Sequence, residues 1–327
     1  MAVKQYIDAI REALQQEMAR DERVFVLGED VGVRGGVFRV TDGLQAQFGE
    51  YRVLDFPLTE SAIVGVAIGA AAAGMIPVAE IQFADFILPA VNQIISEAAK
   101  IRYRSNNDWN CPIVIRAPFG GGVHGALYHS QSMEALFTHV PGLKVVVPST
   151  PEDAKGLLLS AIRDPDPVLF FEHKKLYRSI KGEVPDSPYT TPLGKAAVRR
   201  EGDDVTVITY GLGVHLALEA AERLESEGIT AHVLDLRTLR PLDEEAILAA
   251  ARRTGKVLIV HEDNKVCGIG AEVSALIGEY ALFDLDAPIR RLAGPEVPAM
   301  PFSPTLEKAY MLNTDKVASE MRSLARF

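Results

Sequence analysis

The sequence has few cysteines and no concentrated positive charge. Only Cys111 and Cys267 are cysteines among its 327 residues, and no Cys-x-x-Cys or mixed His/Cys spacing typical of zinc sites is present. The 44 acidic residues outnumber the 34 basic ones, which gives a net charge of −10. Where basic residues are adjacent, they form only short pairs such as Arg199–Arg200. Nucleic-acid backbones are bound by clustered Lys and Arg, so nucleic acid is excluded as the main partner.

One long segment lacks charge altogether. Residues 62–79 read AIVGVAIGAAAAGMIPVA, a length that approaches a membrane span. The segment is dominated by Ala and Gly and contains Pro77, so we predict a buried helix to about Gly74 and a strand from Pro77, with no membrane attachment. Residues 1–21 predict an amphipathic helix without an apolar signal core, and their acidic residues do not suit a transit peptide. A bacterial, cytoplasmic location is expected.

The remaining sequence alternates between short apolar runs and helical patterns. Its length suggests about two domains of roughly 150 residues each. We predict strands at 24–28, 52–56, 77–83, 112–117, 144–149, 167–172, 205–211, 230–237, 256–263 and 288–294, and helices at 4–20, 60–74, 86–103, 151–163, 213–227, 243–253, 270–281 and 314–325. This alternation predicts an α/β protein of two domains, each a mostly parallel sheet covered by helices. The Pro- and Gly-containing stretch 181–195 is interpreted as a linker between domains at 1–180 and 196–327.

Glu60, in FPLTESAIVG, stands at the head of the uncharged run. An acid in the first turn of a helix is favoured by the helix dipole, by about 0.3–1 kcal/mol, and needs no other role. The helix behind it carries Gly65, Gly69 and Ala73 at a spacing of four, hence on one face. Glycine inside a helix costs about 0.5–1 kcal/mol relative to alanine. This face therefore predicts a close approach by another helix, within the chain or between subunits.

The pattern from Glu60 to Gly69 resembles the segment in which thiamine diphosphate enzymes carry their activating glutamate. LGEDVGVRGGVF, AEIQFADFILPAVNQIISEAAKIRYRS, GGGVHGALYHSQS, KVVVPSTPEDAKGLL and LDLRTLRPLD extend the resemblance from about residue 4 to the C-terminus. Together they resemble the beta chains of 2-oxo acid dehydrogenase decarboxylase components. HGALYHSQS is most similar to the branched-chain type, which functions in branched-chain amino acid catabolism. The resemblance implies a pyrimidine-binding domain followed by a transketolase C-terminal-like domain.

The resemblance also implies roles for individual residues near the cofactor. Glu60 matches the catalytic carboxylate that hydrogen-bonds N1′ of the aminopyrimidine. The other matches to residues around the pyrimidine are Glu29, Leu58, Gln82 and Phe86. Without the resemblance, Glu29 is interpreted as an acid in a loop, Leu58 and Phe86 as ordinary packing residues, and Gln82 as a polar residue at a strand end. Phe86 replaces a frequent tyrosine, which keeps the ring but removes a hydroxyl.

The glycine-rich stretch APFGGGVHGALYHSQS contains two histidines. Three consecutive glycines after a strand can form a phosphate nest, but no Gly-Lys-Ser/Thr follows, so a nucleotide P-loop is not supported. The glycines more readily let the backbone pass close to an active-site mouth. His129 matches the family's active-site histidine, implied to donate a proton while the acyl group passes to lipoyl sulfur. His124 is the weaker candidate, and the remaining histidines are interpreted as structural.

Metal and partner expectations also follow from the resemblance. It implies a potassium site formed by the carbonyls of Ile113 and Ala161 with Asp164 and Asp166, although the family often has Asn in place of Asp166. The chain contains no Gly-Asp-Gly, the motif with which thiamine enzymes hold the diphosphate through Mg²⁺. A separate alpha subunit is therefore expected to supply Mg²⁺ and the diphosphate site. The implied assembly contains two alpha and two beta chains and serves a lipoyl acyltransferase core.

Three alternatives remain beside this interpretation. The same machinery could act on pyruvate or acetoin. A non-catalytic scaffold subunit would not need Glu60 and His129. A self-sufficient transketolase-like enzyme does not fit the short chain without a diphosphate site.

Overall fold

A computed structural model describes residues 1–327. The chain divides into two compact units, one of residues 1–119 with 136–193 and the other of residues 120–135 with 194–327. The predicted architecture of two α/β domains with mostly parallel sheets is confirmed. No helix is both long enough and apolar enough to cross a bilayer.

The first unit contains a parallel sheet. The strands of this unit are β1 (Ala2–Gln5), β2 (Val24–Gly28), β3 (Val53–Asp55), β4 (Ile76–Glu80), β5 (Val114–Phe119), β6 (Lys144–Val146), β7 (Val168–His173) and β8 (Lys181–Val184). Its helices are α1 (Tyr6–Arg20), α2 (Leu44–Phe48), α3 (Glu60–Ala72), α4 (Ile101–Arg104), α6 (Pro151–Ile162) and α7 (Leu176–Ser179), while α5 (Glu134–Thr138) contains the boundary with the second unit. The parallel strands lie in the order β6-β7-β5-β4-β2-β3. Strands β2, β4, β5 and β7 are wholly buried, as expected when helices cover both faces of a sheet.

Two short strands form a separate antiparallel pair that the sequence pattern did not predict. β1 pairs with β8, from Ala2 opposite Val184 to Gln5 opposite Lys181. The predicted helix at 4–20 therefore begins only at Tyr6, and the first four residues of the predicted linker form a strand. Neither strand has a continuous apolar run, because β1 is largely exposed and β8 buries only Val184.

The predicted helix at 86–103 is not one regular α-helix. The segment consists of a 3-10 helix (Ala84–Ala90), a π-helical turn (Gln93–Glu97), a second 3-10 turn (Ala98–Lys100) and α4. Pro89 lies inside the first of these and has no N–H to donate, which explains why regular α-helical bonding is not maintained. By contrast, α6 begins as predicted, since the Thr150 side chain accepts the N–H of Asp153.

The second unit has a smaller sheet. The strands of this unit are β9 (Ala197–Arg200), β10 (Val205–Thr209), β11 (Ala231–Asp235), β12 (Thr238–Arg240), β13 (Val257–Asn264) and β14 (Arg290–Gly294), and all of them except β12 belong to its sheet. Its helices are α8 (Leu212–Glu225), α9 (Glu244–Thr254), α10 (Ile269–Tyr280), α11 (Pro304–Tyr310) and α12 (Thr314–Ala325). The sheet order is β14-β13-β10-β11-β9, with β9 antiparallel at the edge. Its core joins β10, β11 and β13 to the buried faces of α8 and α12.

Candidate functional site

The predicted cofactor residues of the first unit follow three adjacent strands. Glu29 comes directly after β2, Glu60 comes shortly after β3, and Gln82 comes shortly after β4. These strands are neighbours in the order β4-β2-β3 and run parallel. In such sheets ligands bind in the crevice outside the carboxyl ends of the strands. The fold therefore places the three polar side chains at the edge where a ligand is expected.

Glu29 and Glu60 influence each other electrostatically. Glu29 is only 9% exposed, and Glu60 is partly buried as the first residue of α3. Burial raises the pKa of Glu29, and the negative charges of Glu60 and Asp30 raise it further. A carboxyl group with a raised pKa keeps its proton to a higher pH, so Glu29 is suited to donate a hydrogen bond as well as to accept one. This edge thus offers two carboxyl groups, of which Glu29 has a raised pKa.

A buried ionic network lies in the strands behind this edge. The Arg116 guanidinium donates to Glu172 at 2.7 Å and to Glu80 at 2.6 Å, and the Tyr177 hydroxyl donates to Glu172 at 2.6 Å. Burial alone lowers the pKa of Arg116, but Glu172 and Glu80 reverse this and raise it. Burial raises the pKa of Glu80, which opposes the effect of Arg116. Sequence analysis missed this network, although charged residues inside apolar strands were a visible signal.

Aromatic rings and exposed apolar side chains accompany the carboxylates. Phe86 packs edge-on against Phe83, with ring centroids 5.7 Å apart, and Phe83 contacts Phe38 at 5.4 Å. Leu58, which precedes Glu60 by two residues, is 78% exposed. Phe86 thus belongs to an aromatic cluster, whereas Leu58 has no such packing in the isolated chain.

The Gly/Ala face of α3 is open. A side chain added at Gly69 would meet nothing within 4 Å, and one at Gly65 would meet only Gln93 Cγ at 3.9 Å. Val66 on the same helix is 44% exposed. The close helix contact predicted for Gly65 and Gly69 is therefore not made within this chain, which leaves the prediction of a contact between subunits.

In the second unit, His129 ends a folded glycine-rich loop. A 3-10 turn (Ala126–Tyr128) precedes it, and the residue is partly exposed. The backbone folds tightly here, because a Cβ added at Gly125 would lie 2.6 Å from the His129 carbonyl oxygen. His124 contacts a carboxylate of the protein, since its Nδ1 lies 2.5 Å from Glu307 Oε2. The loop N–H groups of the suspected phosphate nest hydrogen-bond carboxylates of the protein itself.

The four residues of the predicted potassium site surround the turn at 161–168, but each already has hydrogen-bond partners. Lys144 Nζ lies 2.6 and 2.7 Å from the two oxygens of Asp164, while Arg102 pairs with Asp166. The carbonyl of Ile113 accepts the Val168 N–H, and that of Ala161 accepts the Asp164 N–H. No group of three or more His, Cys, Asp or Glu residues could hold a metal ion anywhere in the chain. The side chains present do not fit a potassium ion beside Lys144, and the site stays a prediction.

One cavity of the first unit lies away from the carboxylate edge. It has a volume of about 690 Å³ and is bordered by the end of α3, by residues 108–112 and by the turn after α6. Of the predicted site residues it contains only Asp164, so it does not coincide with the predicted cofactor residues.

Comparison with known proteins identifies the family. The family described as "Transketolase, pyrimidine binding domain" matches residues 3–180, and "Transketolase, C-terminal domain" matches residues 194–317. The 2-oxoisovalerate dehydrogenase subunit beta of Bacillus subtilis (strain 168) is 70% identical over 327 residues, covering 100% of each chain. The chain belongs to the 2-oxo acid dehydrogenase beta subunits. The predicted family is thereby confirmed.

Other similar proteins bear on the substrate class and on the fold. The pyruvate dehydrogenase E1 component subunit beta of the same Bacillus strain is 50% identical over 327 residues, again covering 100% of each chain. A split-gene transketolase, described as an inactive beta4 tetramer, is 26% identical with a TM-score of 0.79 over 98% of each chain. A Pichia stipitis transketolase is 15% identical with a TM-score of 0.69 over 100% of this chain and 46% of that one, which shows the shared fold alone.

Membership of this family implies use of thiamine diphosphate, and the first unit fits the pyrimidine half of that cofactor. Binding this half requires a carboxyl group for a ring nitrogen, a second polar group and an apolar surface against the ring. Glu60, Glu29 and the cluster containing Phe86 supply these at one edge. No part of the chain supplies the Gly-Asp-Gly motif for the metal and diphosphate half.

Proposed function

We propose that this chain is the beta subunit of a branched-chain 2-oxo acid dehydrogenase. The enzyme decarboxylates 2-oxo acids of the 2-oxoisovalerate type and reductively acylates a lipoyl group. The observation that carries the proposal is the 70% identity along the full length to a 2-oxoisovalerate dehydrogenase subunit beta, against 50% to the pyruvate dehydrogenase counterpart from the same organism. Pyruvate or acetoin is the alternative substrate.

We propose a role for each of the predicted site residues, supported by the position of each residue in the fold. Thiamine diphosphate, when bound, supplies the nucleophilic carbon and the electron sink. Glu60 holds a proton at N1′ of the pyrimidine, while Glu29, Gln82, Leu58 and Phe86 bind and orient that ring. His129 donates a proton during acyl transfer to the lipoyl sulfur.

The missing half of the site supports an obligate alpha subunit. We propose an assembly of two alpha and two beta chains in the bacterial cytoplasm, with Mg²⁺ and the diphosphate held by alpha and with a lipoyl acyltransferase core as the further partner. The open Gly69 face and the 78% exposed Leu58 support a subunit contact beside Glu60. The related split-gene transketolase chain is described as inactive when it forms a tetramer of beta chains alone.

The proposed function is tested by comparing the chain alone with the chain assembled with its alpha subunit. Alone, it should bind thiamine diphosphate and Mg²⁺ weakly or not at all and should be inactive, because the metal ligands are absent. Assembled, it should turn over branched-chain 2-oxo acids with a higher kcat/KM than pyruvate or acetoin. Micromolar, Mg²⁺-dependent binding to the isolated chain in calorimetry would contradict the shared site. Preference for pyruvate would establish the alternative.

Replacing His129 by alanine should separate the two half-reactions. We expect reductive acylation of a lipoyl domain to fall by about 10²-fold or more, the usual range for a lost general acid. Decarboxylation followed with an artificial electron acceptor should fall much less, since it needs no proton on lipoyl sulfur. His139→Ala, at an exposed histidine interpreted as structural, is the matched control. Equal losses in both assays of the His129 variant would make the residue a general binding or structural element.

A further inference from the structure

Two carboxylates of the second unit accept N–H groups from the glycine-rich loop that carries His129. Glu307 Oε1, from α11, accepts the N–H of Gly122 and the N–H of His124, each at 3.1 Å. Glu262 Oε1, from β13, accepts the N–H of Gly121 at 2.5 Å. The second oxygen of Glu307 lies 2.5 Å from His124 Nδ1. Glu307 thus makes three contacts within three residues of the loop.

The loop conformation explains why such an acceptor is needed. Gly120, Gly122, His124 and Ala126 all have positive φ values, of 84°, 80°, 58° and 56°. Alternating backbone of this kind turns successive N–H groups toward one point and forms an anion-binding concavity. His124 and Ala126 are not glycines, so their left-handed conformations are strained and persist only where the surroundings hold them. Glu307, only 3% exposed, accepts two of the loop N–H groups, and Glu262 accepts a third.

The held segment is in direct contact with His129. A Cβ added at Gly125 would lie 2.6 Å from the His129 carbonyl oxygen and 2.9 Å from its Cβ, so these two backbone segments touch. The base of the loop is closed by the Gly120 N–H, which donates to the Gln131 carbonyl at 3.1 Å. Any displacement at Gly122 and His124 is therefore transmitted through Gly125 to His129.

We propose that Glu307 is a positioning residue for acyl transfer: its carboxylate fills the N–H concavity at Gly122 and His124 and thereby fixes the loop that presents His129. This assignment rests on the proposed role of His129. Glu307 itself touches neither the substrate nor the cofactor in this scheme. The suspected phosphate nest is accordingly a site for an internal anion, with Glu307 as its occupant.

The test uses the assembled enzyme with Glu307→Ala and Glu307→Gln, with Glu279→Ala, at an exposed residue of α10, as the matched control. Amide hydrogen exchange of residues 120–133 should accelerate by about tenfold or more in Glu307→Ala, because two N–H groups lose a charged acceptor. Reductive acylation of a lipoyl domain should fall by at least about tenfold, through kcat rather than KM, while decarboxylation with an artificial acceptor changes little. Glu307→Gln should recover much of both losses, since its amide oxygen can still accept the two N–H groups.

The outcomes separate this proposal from the function on which it rests. Unchanged exchange in residues 120–133 of Glu307→Ala would overturn the proposal, because the carboxylate would not be holding the loop. Faster exchange with undiminished acyl transfer would overturn it as well, because positioning would not matter for the reaction. If His129→Ala itself leaves acyl transfer intact, the proposed role of His129 fails, and the exchange result still reports whether Glu307 holds the loop.

Discussion

Replacing Glu60 by glutamine should abolish most decarboxylation while leaving folding and assembly with the alpha subunit intact. The side chain is nearly isosteric and begins α3, so the structural loss is confined to one charge at a helix start, worth about 0.3–1 kcal/mol. An amide cannot exchange a proton with N1′ of the pyrimidine as a carboxylic acid does. Loss of positioned proton transfer typically lowers rates by about 10²–10⁴-fold. Turnover of a branched-chain 2-oxo acid by the assembled enzyme measures the effect.

The matched control for this substitution is Glu244→Gln. Glu244 is also the first residue of a helix, α9, and is exposed. Both variants should lose similar small amounts of stability, because both remove an acid from a helix start, but only Glu60→Gln should lose turnover. Near-normal turnover of the assembled Glu60→Gln enzyme would refute the assigned role of Glu60 and leave only its stabilising role in the helix.

The sequence predicts the strands that are buried on both faces and misses short strands such as β1 and β9. β2 is a continuous apolar run, and β5 and β7 are apolar apart from Arg116, Glu172 and His173, because helices cover both sides of these strands, so their pattern identifies them. β1 and β9 are short and contain no fully buried residue, and each is held by pairing with a strand elsewhere in the chain. Their sequences carry little periodic signal, because the backbone pairing stabilises them more than side-chain burial does.

A similar division applies to the candidate site. The resemblance grouped Glu29, Glu60 and Gln82 around one ring, and in the fold all three follow the carboxyl ends of neighbouring parallel strands. The acceptor for the Gly122 N–H could not be predicted from the sequence, because Glu307 lies 185 residues further along the chain. Side chains that converge from distant elements leave no local pattern. The open face of α3 shows the converse, since the close helix contact that Gly65 and Gly69 predict is not made within the chain.

Replacing Arg116 by methionine should cost the chain a large part of its stability. The Arg116 and Glu172 side chains are fully buried, and the Glu80 side chain is 4% exposed. Removing the guanidinium leaves two carboxyl groups without their cation. Breaking a buried ion pair in this way typically costs about 3–5 kcal/mol. Urea unfolding of the purified chain should show the loss as a lower midpoint.

Arg23→Met is the control for this prediction, because Arg23 pairs with Asp21 while 61% of its side chain is exposed. Such surface pairs contribute little to stability, because both charges stay in contact with water.

The pH dependence of the Arg116→Met deficit gives a second readout with a definite sign. Burial already raises the pKa of Glu80 above its usual value, and loss of the neighbouring cation raises it further. A carboxyl group whose folded-state pKa is raised contributes stability below its unfolded pKa and loses it as the pH rises through the folded value. The stability deficit of Arg116→Met should therefore shrink as the pH is lowered from 8 toward 5.

Replacing Glu80 and Glu172 by leucine in the same variant should restore much of the stability and remove this pH dependence, since no buried charge remains. A deficit that is equal at all pH values, or no larger than that of Arg23→Met, would mean that the network contributes packing rather than charge compensation.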